Sequence, residues 1–166
     1  MDTKQKTAKI YELLNARYSG RDWIHIQECR FSTGYEGHAQ RQFDFFVISS
    51  RAGNITYGFE VKASRADFLK DLADKDKQFA LRMYSNYFYY VCPKDMIKIE
   101  EIPEWAGLMY ANLEGMLYKQ NDGKEIMLNP NVYNVKTAPY FQRAQPHWGF
   151  VAQVIRNLDE TQRSWK

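Results

Sequence analysis

The chain is poor in cysteine and histidine, and this shortage excludes several kinds of site. Its 166 residues include two cysteines, Cys29 and Cys92, which form no CxxC pair and no cluster with the three histidines. A zinc site of the usual ligand spacing is therefore not expected. We expect both thiols to be free, as is usual in a reducing compartment.

Long apolar runs, repeats and low-complexity tracts are also missing. The opening stretch MDTKQKTAKIYELL has no apolar signal region, and no uninterrupted apolar run approaches membrane length. We therefore expect a cytoplasmic protein with no membrane partner. The formal net charge of +3 is compatible with a nucleic-acid partner but does not require one.

The chain does contain enough apolar residues for a sizeable core. Hydrophobic residues make up 45% of it and aromatic residues 16%, with 12 Tyr and 10 Phe. Aromatic side chains favour strands over exposed helices. A length of 166 residues is typical of one domain, so we predict a single domain over residues 1–166.

Hydrophobic periodicity predicts alternating helices and strands in the first half of the chain. We predict a helix at 7–18, then strands in DWIHIQECRF, at 43–49 and at 55–63. A helix over about 65–85 and a strand at 87–93 are expected to follow. The strands on either side of the turn at 49–54 are expected to pair as a hairpin, and the first of them is apolar on both faces. Ser64 has the spacing of a cap for the helix that follows it.

The second half is predicted to add short strands and one more helix. The segments GLMYANL, GMLYKQ, EIMLN and YNVKTA have the pattern of strands or hairpin arms. The last helix has an apolar stripe that is expected to face the core, made of Val151, Val154, Ile155 and Leu158. The predicted fold class is therefore mixed α/β (α+β), with an αβββαβ core, an extra β-hairpin region and a carboxy-terminal helix.

Three polar residues of the predicted hairpin have the chemistry of a metal site. Asp44 interrupts the apolar strand FDFFVIS, where an unpaired charge is costly. On the returning strand Glu60 and Lys62 share one face, because alternate residues of a strand point the same way. Pairing of the two strands brings Asp44 beside them. A divalent cation with oxygen ligands, such as Mg²⁺, would relieve the repulsion between the two carboxylates.

The residues alone leave two interpretations open. In the first, Glu60 and Lys62 form an ordinary structural ion pair, because a Glu-x-Lys triplet arises by chance in many chains of this length. In the second, Asp44 and Glu60 hold a cation and Lys62 orients or deprotonates a water. That second arrangement suits hydrolysis of a phosphodiester.

The spacing of Asp44 and the segment Glu60-Val61-Lys62 resembles the motif of the PD-(D/E)xK nuclease superfamily. The proline that usually precedes the aspartate is replaced here by Phe43. Over roughly residues 23–140 the order of segments is similar to a bacterial group of MmcB-like DNA-repair nucleases. The resemblance implies a restriction-endonuclease-like core, in which helices flank a central mixed sheet.

The resemblance also implies an activity and its site residues. Asp44, Glu60 and the backbone carbonyl of Val61 would bind Mg²⁺ or Mn²⁺. Lys62 would position the attacking water and stabilise the transition state. The implied function is metal-dependent hydrolysis of DNA, in repair or in the processing of mobile-element or phage DNA. The alternative is a nucleic-acid-binding module of the same fold that is catalytically silent or needs a partner.

A further carboxylate often joins the site in this superfamily, and two glutamates are candidates for it. Glu28 lies on the predicted strand WIHIQECRF and matches the corresponding stretch of the MmcB-like group. Glu12 lies on the first predicted helix, and we interpret it as part of a solvated face. Gln78 resembles the glutamine of exonuclease-type members, but Tyr84 follows it by six residues instead of the usual four.

Contacts with DNA are predicted at a few basic residues. Arg41 and Arg65 flank the carboxylates in sequence and are expected to meet backbone phosphates. His38, in the loop before Asp44, is a further candidate for a substrate contact. The helix after Lys62 carries charges of both signs, which is typical of a solvated face, and a stripe of phosphate contacts is the alternative interpretation. These charges are Lys70, Lys75, Lys77 and Arg82, with Asp67, Asp71, Asp74 and Asp76 between them. A homodimer or a protein partner stays open.

Overall fold

The computed structural model describes residues 1–31, 41–51 and 53–163 of the chain. Within these ranges there are four α-helices and eight strands. The helices are α1 (Thr3–Arg17), α2 (Arg65–Ala73), α3 (Lys75–Met83) and α4 (Trp148–Arg163). The strands are β1 (Trp23–Phe31), β2 (Arg41–Ser49), β3 (Thr56–Val61), β4 (Tyr87–Pro93), β5 (Gly107–Asn112), β6 (Met116–Lys119), β7 (Glu125–Leu128) and β8 (Asn131–Lys136). A short 3-10 helix covers Ile99–Glu101.

Six of the described strands form one mixed sheet in the order β1-β2-β3-β4-β5-β8. Neighbours are antiparallel except for β3 with β4 and β4 with β5, which are parallel. A parallel pair needs a crossover connection, and α2 and α3 supply it between β3 and β4. The mixed α/β class and the order of the first six predicted segments are confirmed.

The predicted hairpin is confirmed as the antiparallel pair β2–β3, with Phe45 opposite Phe59. Its turn uses left-handed backbone at Gly53 (φ 90°) and Asn54 (φ 44°), two residue types that tolerate this conformation. The amide of Ser49 donates to the carbonyl of Ile55 at 2.8 Å and closes the turn. The turn therefore sets the register that determines which residues of the two strands meet.

Helices cover both faces of the sheet. Leu14 of α1 packs in one buried cluster with Phe45 and Phe59. Phe46, the neighbour of Phe45, packs in a second cluster with Phe68 of α2. The strand at 43–49 is therefore buried on both faces, as its apolar sequence predicts.

The helix predicted over about 65–85 is two helices, so that prediction was wrong in its length. Ser64 caps α2 as predicted, accepting a hydrogen bond from the amide of Asp67. Asp74 then ends α2 and begins α3, where its side chain accepts a hydrogen bond from the amide of Lys77 at 2.9 Å. An aspartate that caps the backbone in this way competes with a continuous helix.

The second half of the chain departs from prediction in two places. The strands β5 and β8 belong to the main sheet, and only β6 and β7 form a separate two-stranded ribbon among the described residues. β5 is buried along its whole length because Leu108 packs in the cluster on one face of the sheet and Met109 in the cluster on the other. In α4, Val154 is buried as predicted, but Ile155 is 59% exposed. The helix contacts mainly β1, the strand at the edge of the sheet. This single strand covers a narrower part of the helix surface than the predicted apolar stripe occupies.

The two cysteines, Cys29 and Cys92, are free and buried. Among the helices in the described ranges, none is long and apolar enough to cross a membrane.

Candidate functional site

The β2–β3 hairpin brings Asp44 to the Glu60–Lys62 segment. Extending the observed register by one pair from Phe45 and Phe59 sets Asp44 opposite Glu60. The carboxylate of Asp44 accepts a hydrogen bond from the backbone amide of Val61 at 2.8 Å. Burial raises the pKa of Asp44, although the charge of Lys62 and the Val61 amide act in the opposite direction.

Glu60 is a fully buried carboxylate whose two oxygens have different surroundings. Its Oε2 accepts hydrogen bonds from Lys62 Nζ at 2.9 Å and from Lys77 Nζ at 2.7 Å. Its Oε1 has no hydrogen-bond partner within the part of the chain that the structure describes. Burial and the charge of Asp44 raise the pKa of Glu60 to about 7, against the pull of the two lysines.

A third carboxylate, Asp71 of α2, binds the same two lysines. Its Oδ1 accepts from Lys62 Nζ at 3.0 Å and from Lys77 Nζ at 2.6 Å, while its Oδ2 accepts from the hydroxyl of Tyr90 at 3.1 Å. Burial acts to raise the pKa of Asp71, but the lysine charges outweigh it and the net shift is downward. Glu60, Lys62, Asp71 and Lys77 form one network, which we call the lysine–carboxylate network.

The prediction of a solvated charged face on the helix after Lys62 was wrong for Asp71 and Lys77. In one continuous helix, residues six apart lie about 120° from each other around the axis. The helix break at Asp74 instead turns Lys77 toward Asp71 and Glu60. The capping spacing of Asp74 and Lys77 is the sequence signal that could have located this break.

Gln78 is buried and has a structural contact in this fold. Its side-chain amide donates to the backbone carbonyl of Asp71 at 2.9 Å, which ties α3 to the end of α2. The hydrogen bond therefore helps to hold Lys77 and Asp71 in their relative positions.

The two candidate glutamates are both exposed, but they have different neighbours. Glu12 is exposed and pairs with Lys9 at 2.7 Å, which agrees with a solvated helix face. Glu28 lies on β1, between residues that pair with Phe43 and Phe45, and is therefore opposite Asp44. Its backbone is left-handed (φ 49°), which shifts the side-chain alternation of the strand.

Tyr11 of α1 is a residue near the carboxylates that the sequence interpretation missed. Burial raises the pKa of its hydroxyl, and the charges of Asp44, Glu28 and Glu60 add to the shift. By its register Glu28 lies opposite Asp44, whereas Glu12 pairs with Lys9 on the exposed face of α1.

The predicted DNA-contacting residues lie at the edges of the hairpin and helix. Arg41 is half-buried at the first position of β2, opposite Phe31 of β1. Arg65 begins α2, is largely exposed, and donates to Glu101, with Nη1 at 2.8 Å from Oε2. His38 lies outside the described residues.

An open cavity of about 390 Å³ adjoins the lysine–carboxylate network. Its charged lining contains three lysines and three aspartates, namely Lys62, Lys70, Lys77, Asp67, Asp71 and Asp74. The backbone of the strand end reaches the same cavity at Val61. Both lysines of the network are therefore accessible from solvent through this opening.

The oxygen atoms around Asp44 and Glu60 are the ones that could bind a divalent cation. No group of three or more His, Cys, Asp or Glu side chains in the described ranges is arranged to hold a metal ion. Two carboxylates, Asp44 and Glu60, are adjacent, and Glu60 Oε1 is a buried oxygen without a partner in those ranges. Mg²⁺ is commonly bound by one or two carboxylates and several waters, so this donor set fits such an ion.

Comparison with known proteins supports the fold alone. No family model matches the chain, and no curated protein matches it. A solved structure of a protein of unknown function from Silicibacter pomeroyi matches with a TM-score of 0.58 and 17% sequence identity. The match covers 99% of this chain and 90% of that one.

Proposed function

We propose that the chain is a nuclease that hydrolyses DNA phosphodiester bonds with Mg²⁺ or Mn²⁺ on a restriction-endonuclease-like core. One observation carries the proposal: the half-buried carboxylate of Asp44 and the fully buried one of Glu60 lie on paired strands beside Lys62, and Glu60 Oε1 lacks a partner among the described residues. Buried carboxylates without full compensation are costly, which favours a ligand at this position.

In this proposal each residue has a separate task. Asp44, Glu60 and the carbonyl of Val61 would hold the cation, and Glu28 would add a carboxylate at the edge of the site. A bound divalent cation supplies Lewis-acid stabilisation of charge on the phosphate. The ammonium of Lys62, 2.9 Å from Glu60, would orient the attacking water and stabilise negative charge in the transition state. Arg41 and Arg65 would bind flanking phosphates.

The protonation of Glu60 controls whether the site can bind a cation. A carboxylate must be deprotonated before it can serve as a metal ligand. The pKa of Glu60 is raised to about 7, so a large fraction of the site is ready to bind at neutral pH. The proposed biological setting is DNA repair or the processing of mobile-element or phage DNA.

A nucleic-acid-binding module that is silent or partner-dependent is the second candidate. The two lysines on Glu60 Oε2 favour it, because they already compensate part of the carboxylate charge. In that case the chain would bind DNA but would leave it uncut until a partner rearranged the network.

The first test is Mn²⁺ binding by titration calorimetry, on the parent and on Asp44→Asn. We expect binding in the parent and its loss in the variant, because Asp44 supplies one of two carboxylate ligands. Asp22→Asn is the matched control, since Asp22 is an exposed aspartate paired with Arg51. An equal affinity in the parent and in Asp44→Asn contradicts the proposed cation site.

The second test is DNA cleavage by Lys62→Met. We expect a loss of at least about 100-fold in rate, the cost of removing one stabilising group from a transition state. Cation binding should survive, because Lys62 is not a ligand. A variant that cuts as fast as the parent would refute the role of Lys62, while a parent that binds DNA without cutting supports the silent module.

A further inference from the structure

Lys77 is the most accessible member of the lysine–carboxylate network. Its side chain is 25% exposed, against 9% for Lys62, and it lines the adjoining cavity. Its ammonium nevertheless binds two buried carboxylates, Glu60 at 2.7 Å and Asp71 at 2.6 Å. A cation at this position is therefore both close to the site and able to leave it toward solvent.

The contact with Glu60 competes directly with a metal ion. A carboxylate with two ammonium groups on Oε2 is a weaker ligand for a cation than a free one, because like charges repel at short range. Lys62 directly follows β3, the strand that carries Glu60, whereas Lys77 belongs to α3, so different elements hold the two ammonium groups. Asp71 keeps Lys77 next to the cavity if it leaves Glu60, since Asp71 is anchored by the hydroxyl of Tyr90.

From this geometry we infer that Lys77 is a further phosphate-contacting cation of the site, held on Glu60 until a divalent cation takes that carboxylate. The inference rests on the proposed function and adds to it a coupling between metal binding and substrate binding, because metal binding at Glu60 releases Lys77. The released ammonium would stay on Asp71 and would meet a backbone phosphate entering through the cavity. Asp71 is then a positioning residue, which acts through Lys77.

Two measurements on Lys77→Met test the inference. The first is Mn²⁺ affinity without DNA at about pH 8, where Glu60 is ionised. Removing a positive charge next to the ligand should tighten Mn²⁺ binding by about tenfold or more. The second is the binding of a phosphorothioate oligonucleotide duplex, which resists cleavage with Mg²⁺, in the presence of Mg²⁺ and with salt varied. The slope of log affinity against log salt should become shallower by about 0.9, the value for one lost phosphate contact.

Matched variants separate these effects from simple loss of charge or of folding. Lys75→Met removes an exposed lysine from the first turn of the same helix and should change neither quantity. Lys77→Arg retains the charge and should restore the slope. Lys77→Gln replaces Lys77→Met if the latter does not fold, because the amide can still donate to Glu60 and Asp71.

The outcomes are distinguishable from failure of the proposed function. If the parent binds no Mn²⁺ and cuts no DNA, the proposed nuclease is wrong. If the parent binds and cuts, but Lys77→Met retains the parent's slope or its Mn²⁺ affinity, only the role of Lys77 is overturned. Tighter Mn²⁺ binding together with a shallower salt slope for DNA binding supports it. A lysine with only a structural role would not produce both changes.

Discussion

Both faces of β3 and β4 are packed in buried clusters, but only one of them carries a charged side chain, Glu60. Phe59 and Tyr89 are paired in register, and their rings stack with centroids 5.8 Å apart in the cluster under α1. The next pair, Glu60 and Tyr90, points to the other face. There Glu60 belongs to the lysine–carboxylate network, and the hydroxyl of Tyr90 donates to Asp71 of that network. A shift of one residue along a strand therefore changes an apolar core into a charged site.

Cavity size does not indicate which face has the reactive groups. The larger opening, of about 460 Å³, is on the aromatic side, and its lining includes Tyr57, Tyr87 and Tyr89 with Arg17 at its edge. The smaller opening, of about 390 Å³, adjoins the network. The two lysines that bind Glu60 line the smaller one, which identifies it as the candidate site.

The largest expected effect on stability is on the apolar face, for Phe59→Ala. This substitution should lower the free energy of unfolding by about 3–5 kcal/mol, because it leaves a cavity under α1. Urea denaturation measures it, with Ile24→Ala as the control, since Ile24 is 41% exposed. If Phe59→Ala lowers the free energy of unfolding no more than Ile24→Ala does, the ring of Phe59 is not packed in the core as described.

The next effect is the pH dependence of cation binding on the charged face. The pKa of Glu60 is raised to about 7, so below that pH binding must first remove a proton. The apparent Mn²⁺ affinity should fall by about tenfold, or about 1.4 kcal/mol, for each pH unit below 7, and level off above it. Calorimetry at about pH 6 and pH 8 checks this, and an affinity that is flat over the range excludes Glu60 as a ligand.

The smallest expected effect is that of Tyr57→Phe in the aromatic cavity. It removes one hydroxyl from the face opposite the network and keeps the ring that stacks on Tyr87. Both the free energy of unfolding and that of Mn²⁺ binding should change by less than about 0.5 kcal/mol. A larger change in Mn²⁺ binding would reveal that the two faces are coupled through the sheet.

The part of the site predicted from the sequence depends on short-range rules. Alternation along a strand and the turn at 49–54 were enough to bring Asp44, Glu60 and Lys62 together. The same rules could not assign Lys77, because its direction depends on where one helix ends and another begins. They also could not choose between Glu28 and Glu12, since that choice depends on which strand lies beside β2.

The sequence by itself determined the local elements of this protein: the hairpin, the cap at Ser64 and the strand at 87–93. Each depends on neighbours a few residues away, whose steric and hydrogen-bonding preferences act in any fold. Only the tertiary structure decided that Asp71 and Lys77 join Glu60 and that Ile155 faces solvent. Whether a charged side chain can be buried depends on which groups from distant parts of the sequence surround it. Tertiary packing determines which groups those are.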